Sequence, residues 1–386
     1  MATNATIGNL ASILRDTAVV PGVVISKRDG APTAPWYFLN LDNFFGNPSV
    51  AAALSEMAAT GRIPQTLLLS GPEGVGKATL ARRFASLLVG AATPRDAAKI
   101  EQDDLSLESN LEIIADREKW PSDKRNEDPL FFASHPDVLT FAPDGPLRQI
   151  TIQQMRLLKD RAALKPLKGS WRVFLIDDID RANEQAANSL LKTLEEPPPH
   201  LILIMTARNP YDMLATIRSR AVPFGLSRLT EEEMRAFAAA RRLDHAERRL
   251  RLSEGSPGIA VSLDLETYDG RRDAMLALLR VASGLEPFGA WLKHSDSIAA
   301  RRTEKLDSYL HVLYVLLEDV LRLGHGITPL RNEDVRSQLE PLAQRVSFDW
   351  LRRAVGRVDQ LADLVRRNIQ KSIALDAFAT EMRSGA

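Results

Sequence analysis

The chain of 386 residues contains no cysteine. That absence excludes disulfides, thiolate zinc sites, iron–sulfur clusters and a cysteine nucleophile. Long apolar runs are missing too. Stretches such as Leu201–Met205 fall far short of the roughly 18 unbroken apolar residues of a membrane span, so no membrane partner is expected. The N-terminus lacks a basic n-region, and Arg15 and Asp16 interrupt its only apolar stretch, which predicts no secretory leader and a cytoplasmic location. There is no excess of either charge: 50 Lys+Arg meet 50 Asp+Glu. A globally basic nucleic-acid binder is thereby excluded, though a local basic face is not. The six histidines are scattered, without HExxH or other paired ligand spacing, so no resident metal site is predicted.

What is present is an ordinary globular composition, 45% hydrophobic and 26% charged. At roughly 150 residues per domain there is chain enough for two or three domains. Residues 1–36 mix short apolar patches with Gly, Pro and Thr and read as an extension. Over 37–225, apolar runs alternate with helical patterns, the signature of a parallel α/β sheet. The runs Thr66–Ser70, Pro136–Phe141, Arg172–Asp177, Leu201–Thr206 and Ala221–Phe224 predict strands. Helices are predicted near 48–60, 77–89, 151–164 and 183–196, the last stopped by Pro197-Pro198-Pro199. Within this unit, 91–134 is polar and weakly periodic and reads as an insertion. Thr230-Glu231-Glu232-Glu233 predicts a capping box that opens a short helical unit over 226–267. From 268 to 386 the apolar spacing is helical throughout.

The first strand runs into Gly71-Pro72-Glu73-Gly74-Val75-Gly76-Lys77-Ala78-Thr79. Glycines allow backbone N–H groups to turn inward around phosphates, the lysine adds charge, and the following helix adds its N-terminal dipole. The candidate nucleotide-binding residues are therefore Gly71, Gly74, Gly76, Lys77 and Thr79. The motif fails where a hydroxyl should ligate Mg²⁺: Ala78 follows the lysine, and Thr79 lies about 100° further round the helix. Val173-Phe174-Leu175-Ile176-Asp177-Asp178 has the form of the strand that completes such a site. Asp177 would orient Mg²⁺, and Asp178 stands where a glutamate would polarise the attacking water, one methylene short. The simpler reading is a strand-end acid capping the next helix.

With these motifs placed, Asn188–Pro198 (NSLLKTLEEPP) and Ala215-Thr216-Ile217-Arg218-Ser219-Arg220 resemble the AAA+ clamp-loader ATPases of the bacterial DNA polymerase III holoenzyme. The resemblance spans about residues 38–265. It implies an AAA+ P-loop α/β domain over 37–225, a small helical lid over 226–267 and an all-α collar over 268–386. Ala78, Asp178, Arg208 and Gly258 depart from the family's motor branch, gamma/tau. Together with His135-Pro136-Asp137 and Gly255-Ser256-Pro257-Gly258, they look like its delta-prime branch, a stator that hydrolyses ATP weakly or not at all. The resemblance implies ATP or ADP in a degenerate site, possible Mg²⁺, and Arg220 as an arginine finger acting in a neighbour's ATP site. It implies gamma/tau and delta subunits as partners, with the sliding clamp and primed DNA met through the complex. Relatives usually carry a four-cysteine zinc module where 91–134 lies, so zinc is not expected here.

Two alternatives stay open. The chain could be an active motor of the gamma/tau type, and Arg220 could simply pair with a carboxylate of its own chain. An unrelated P-loop kinase or transporter ATPase is disfavoured by the Leu190–Pro198 and Ser219-Arg220 segments. Arg345–Lys371 carries seven basic and three acidic residues, read mainly as a solvated helix face with Leu351, Val355, Val358, Leu361 and Val365 packing inward. Arg148 is a candidate phosphate contact.

Overall fold

The computed structural model describes residues 41–90, 93–300, 304, 306–365 and 370–383. The expected extension 1–36 lies outside them, as do the side chains of residues 363–369.

Six strands form one sheet: β1 (Thr66–Ser70), β2 (Phe132–His135), β3 (Val138–Phe141), β4 (Arg172–Ile176), β5 (Leu201–Ala207) and β6 (Val222–Gly225). Their order is β2-β3-β4-β5-β1-β6. All neighbours are parallel except β2, which runs antiparallel to β3 at the edge. The inner strands read as unbroken apolar runs because helices cover both faces. On one face α1 (Pro48–Thr60) and α2 (Lys77–Leu88) pack on Leu67, Leu69, Val173, Leu175, Ile202 and Ile204. On the other, α6 (Ile152–Ala162) and α7 (Glu184–Glu195) cover Leu68, Phe174, Ile176, Leu203 and Met205. Alternate residues of each strand thus feed opposite cores. β1 lies between β5 and β6, and the loop after it opens at the carboxyl edge, where ligands of open α/β sheets bind.

The polar stretch is folded over its described residues, 93–134. It contains α3 (Pro94–Gln102), α4 (Glu108–Arg117) and α5 (Ser122–Glu127) before β2. Its apolar core is small: Ile114, Leu130 and Ala142, with Leu105 and Phe132 against them. Polar ties do the rest. Arg117 donates through Nε and Nη2 to Asp144 at 3.0 and 2.7 Å. Asp103 accepts the Ser134 N–H at 3.1 Å, and Arg82 pairs with Glu101 and Asp104. Hydrophobic periodicity missed these helices because little of what they bury is apolar. Arg148 pairs with Glu118 at 2.6 Å, which ties it to the same region.

Between β5 and β6 lies the short α8 (Ala215–Arg218), and after the sheet come α9 (Glu231–Arg241), α10 (Ala246–Ser253) and α11 (Pro257–Ser262). The Thr230/Glu233 capping box of α9 is present in both directions. Leu229, Met234 and Ala260 form a small core here. The remaining helices are α12 (Leu265–Ala282), α13 (Gly289–Ala300), α14 (Leu306–Gly324), α15 (Arg336–Arg345), α16 (Phe348–Val365) and α17 (Lys371–Arg383). They share a core around Met275, Leu279, Trp291, Leu316, Trp350 and Phe378. The expected boundary at 267/268 falls within the first turn of α12. Leu252 of α10 joins the terminal core, and Arg272 reaches Asp334 at 2.6 Å. On α16, Leu351, Val358 and Leu361 are buried as expected, whereas Val355 is 37% exposed. Among the described residues, no helix is long and apolar enough to cross a membrane.

Candidate nucleotide site and surface arginine

Strand β1 ends at Ser70, and the loop is pinned to the neighbouring strands. Gly71 N–H donates to Ala207 O at 3.1 Å, and Leu226 N–H to Ser70 O at 2.7 Å. Glycine is required at Gly71: its φ is +149°, and a Cβ there would lie 2.2 Å from Leu226 O. Gly74 is at φ +74°, with Ile259 and Ser256 of the α11 region closing over it. Among the described residues, the backbone N–H groups of 73–79 donate to no backbone or side-chain acceptor. They form a set of unclaimed donors at the N-terminus of α2, the arrangement that binds phosphate.

Lys77 is 8% exposed, and its Nζ donates to Gly71 O and Pro72 O at 2.7 and 2.8 Å. Burial pulls its pKa down, against the attraction of Asp178 and Asp177. Asp177 follows β4, and its Oδ1 accepts from Thr206 Oγ1 at 2.5 Å. Asp178 sits at φ +49°, with its N–H donating to the same hydroxyl at 2.9 Å. Burial, and then the neighbouring Asp177, push the Asp178 carboxyl up to about 6. Arg208 reaches the loop: its Nη1 lies 2.7 Å from Glu73, and its backbone N–H donates to Asp180 at 2.9 Å. From the α11 side, Gly258 N–H donates to Gly74 O at 2.8 Å.

The loop of Gly71, Gly74, Gly76 and Lys77 therefore lies beside Asp177 and Asp178. Thr79 lies in the first turn of α2, and its hydroxyl makes no hydrogen bond among the described residues. The donors fit a phosphate chain. At the position after the lysine Ala78 offers no hydroxyl, and the Thr206 hydroxyl donates to Asp177. Thr206 was not singled out from the sequence. Its signal was positional: parallel pairing of Ile176 with Met205 puts the next residues, Asp177 and Thr206, side by side.

The structure does not bring Arg220 to this loop. Arg220 follows α8, is 34% exposed, and donates to Glu195 Oε1 at 2.6 Å and to Thr216 O at 2.9 Å. It pairs with a carboxylate of its own chain and still reaches the surface. His135-Pro136-Asp137 has an architectural part. Asp137 is fully buried and accepts the N–H groups of Leu167 and Lys168, each at 2.7 Å, which shapes the turn before β4. His135 Nδ1 accepts the Asp137 N–H at 3.2 Å, and burial lowers the pKa of the ring.

The sequence model of a family described as DNA polymerase III, delta subunit, matches residues 46–230, and that of its C-terminal part matches residues 294–381. The DNA polymerase III subunit delta' of Escherichia coli is 31% identical over 239 residues, covering 58% of this chain and 66% of that protein. The gamma/tau subunit of Mycobacterium tuberculosis H37Rv is 33% identical over 195 residues, covering 50% of this chain and 30% of its own length. The chain thus spans just under two thirds of the first relative and about a third of the second. A solved gamma subunit-related protein from Thermotoga maritima aligns with 86% of this chain and 98% of its own, at 18% identity and a TM-score of 0.44. The family matches fall on both the P-loop sheet and the terminal helices, and the chain belongs to the DNA polymerase III delta subunit family.

Proposed function

We propose that the chain is a delta-prime-type subunit of a DNA polymerase III clamp loader: a cytoplasmic stator with a degenerate ATP site that donates Arg220 to a neighbouring ATPase subunit. In this reading it has no polymerase site of its own. Its neighbours are gamma/tau and delta subunits, and the sliding clamp and primed DNA are met through the assembled ring. The expected division, a P-loop domain over 37–225, a lid over 226–267 and a collar over 268–386, belongs to the same proposal.

The observation that carries it is the contrast between the two halves of the site. The phosphate half keeps its unclaimed N–H groups and Lys77, which would hold the phosphates of ATP or ADP. The hydrolytic half has Ala78 at the metal position, Asp177 engaged by Thr206, and an aspartate in place of the longer glutamate. Such a chain would bind phosphate better than it cleaves it. Hydrolysis then takes place in a neighbour, where Arg220 neutralises charge developing on the γ-phosphoryl group. In GTPases an arginine of this kind is worth about 10³–10⁵ in rate.

Arg220→Ala should leave assembly of the complex intact and lower its clamp- and DNA-stimulated ATPase; an unchanged rate in the reconstituted complex sinks the finger. The competing reading, a motor of the gamma/tau type, draws on the intact phosphate cradle. Isolated chain that turned over ATP like a motor subunit, with Lys77→Ala abolishing the activity, would favour that reading.

A further inference from the structure

We infer that Glu195 is the positioning residue for the Arg220 finger, setting the plane of its guanidinium before a neighbour arrives. The inference rests on the reading of Arg220 proposed above. Its starting point is a carboxylate where helix physics disfavours one. Glu195 is the last residue of α7, at the negative end of the helix dipole, and Glu196 follows it. Pro197 and Pro198 prevent the helix from continuing, so the place of Glu195 is fixed by the chain. At the other end, the Asn183 side chain caps the helix by accepting the Ala186 N–H at 2.8 Å. A local rule broken at a fixed position calls for a compensating contact, and Arg220 supplies it at 2.6 Å.

The second hold on Arg220 comes from α8. Thr216 O, a carbonyl in the last turn of that four-residue helix, accepts from Nη1 at 2.9 Å. Each contact uses one N–H on a different terminal nitrogen. Of the five N–H donors of a guanidinium, three are left, and the side chain is 34% exposed. One edge is thus anchored to its own chain while donors remain for a phosphoryl group. An arginine has many rotamers, and ordering it during the reaction would raise the barrier; ordering it beforehand on α7 and α8 removes that cost from the transition state. The pair adds little to the stability of the fold, because Glu195 is 49% exposed and such pairs are screened by solvent. Loss of Glu195 should therefore change catalysis and leave folding alone.

The test uses the reconstituted complex with wild-type chain, Glu195→Ala, Glu195→Gln, Arg220→Ala and the Glu195→Ala/Arg220→Ala double variant. Clamp- and DNA-stimulated ATPase is measured against ATP concentration. Glu195→Ala should lower kcat by about tenfold to a hundredfold with KM for ATP unchanged, the mark of a group acting through the transition state. Glu195→Gln keeps an oxygen acceptor and should recover most of the rate. The double variant should be no slower than Arg220→Ala alone. Glu195→Ala as fast as wild type, or faster, overturns the inference, as does a loss that adds to that of Arg220→Ala. If Arg220→Ala leaves kcat unchanged, the finger reading itself fails, whatever Glu195 does.

Discussion

Asp178 shows how a single residue departs from its type. Its backbone is left-handed, its N–H is held by Thr206, and its carboxyl is pushed up to about 6 by burial and by Asp177. The sign of the linked stability follows. Between the ordinary value of 3.8 and about 6, the native state keeps a proton that the unfolded chain has released, so stability falls as pH rises through that window. The cost is complete above the window and absent below it. Asp178→Asn cannot ionise and should melt a degree or two higher than wild type at pH 7, roughly what a kilocalorie or so produces in a chain of this size. Near pH 3.5 the two should coincide; scanning calorimetry across that range reads the difference, and a gain that does not grow with pH contradicts the assignment. The acid itself was legible as the end of an apolar run. Its environment was not, because Thr206 stands 28 residues away and meets it only through the pairing of β4 with β5.

At the scale of elements, 91–134 is the clearest departure from expectation. Four cysteines and a zinc ion would make such a module cohere by coordination. Here an ion pair does that job: the side chains of Arg117 and Asp144 are 5% and 2% exposed. Arg117 also donates to Asp128 O at 2.5 Å and lies over the Trp120 ring, 4.7 Å from its centroid. Removing one partner strands the other in a buried place, typically at a cost of about 3–5 kcal/mol. Arg117→Ala should lower the melting temperature and speed amide exchange across residues 94–134. Chelators should leave wild-type exchange unaltered, and an unprotected wild-type segment would refute the fold described. The sequence hid these helices because their contacts are polar, and polarity is also what a surface loop looks like. The α9 capping box was legible for the opposite reason: its residues are three apart, and they satisfy each other wherever the rest of the chain goes.

For the whole molecule, the balance of 50 basic and 50 acidic residues is repeated locally, since the described arginines are widely paired. Within the basic stretch, Arg345 donates to Ser283 O, Arg352 lies 3.3 Å from Asp349, and Arg357 lies 2.7 Å from Glu381. Lys371 donates to Glu304 O at 2.7 Å. Arg366 and Arg367 lie outside the described residues. Phosphate binding draws on unpaired cations, so the isolated chain should show no measurable affinity for primed duplex DNA at about 200 mM salt. Fluorescence anisotropy checks this, and saturable binding at that salt would count against it. The same pairing joins the helical units: Glu254, in the turn after α10, meets both Arg228 and Arg331, and Arg331 also meets Glu318 of α14. The paired residues of that set are at least 13 positions apart in sequence, and the fold brings them together.

What the sequence by itself determined was whatever is encoded locally. Unbroken apolar runs specify buried parallel strands, glycines followed by lysine specify a phosphate loop, and a proline run ends a helix. Each signal lies within a dozen residues and depends little on its surroundings. The tertiary structure decided the pairings: Asp177 with Thr206, Glu73 with Arg208, Gly74 with Gly258, and Arg220 with Glu195. Those contacts depend on strand register and on how separate elements pack. The physical reason is that a hydrogen bond or ion pair has a range of a few ångströms, whereas its partners here are 25 to 184 residues apart along the chain.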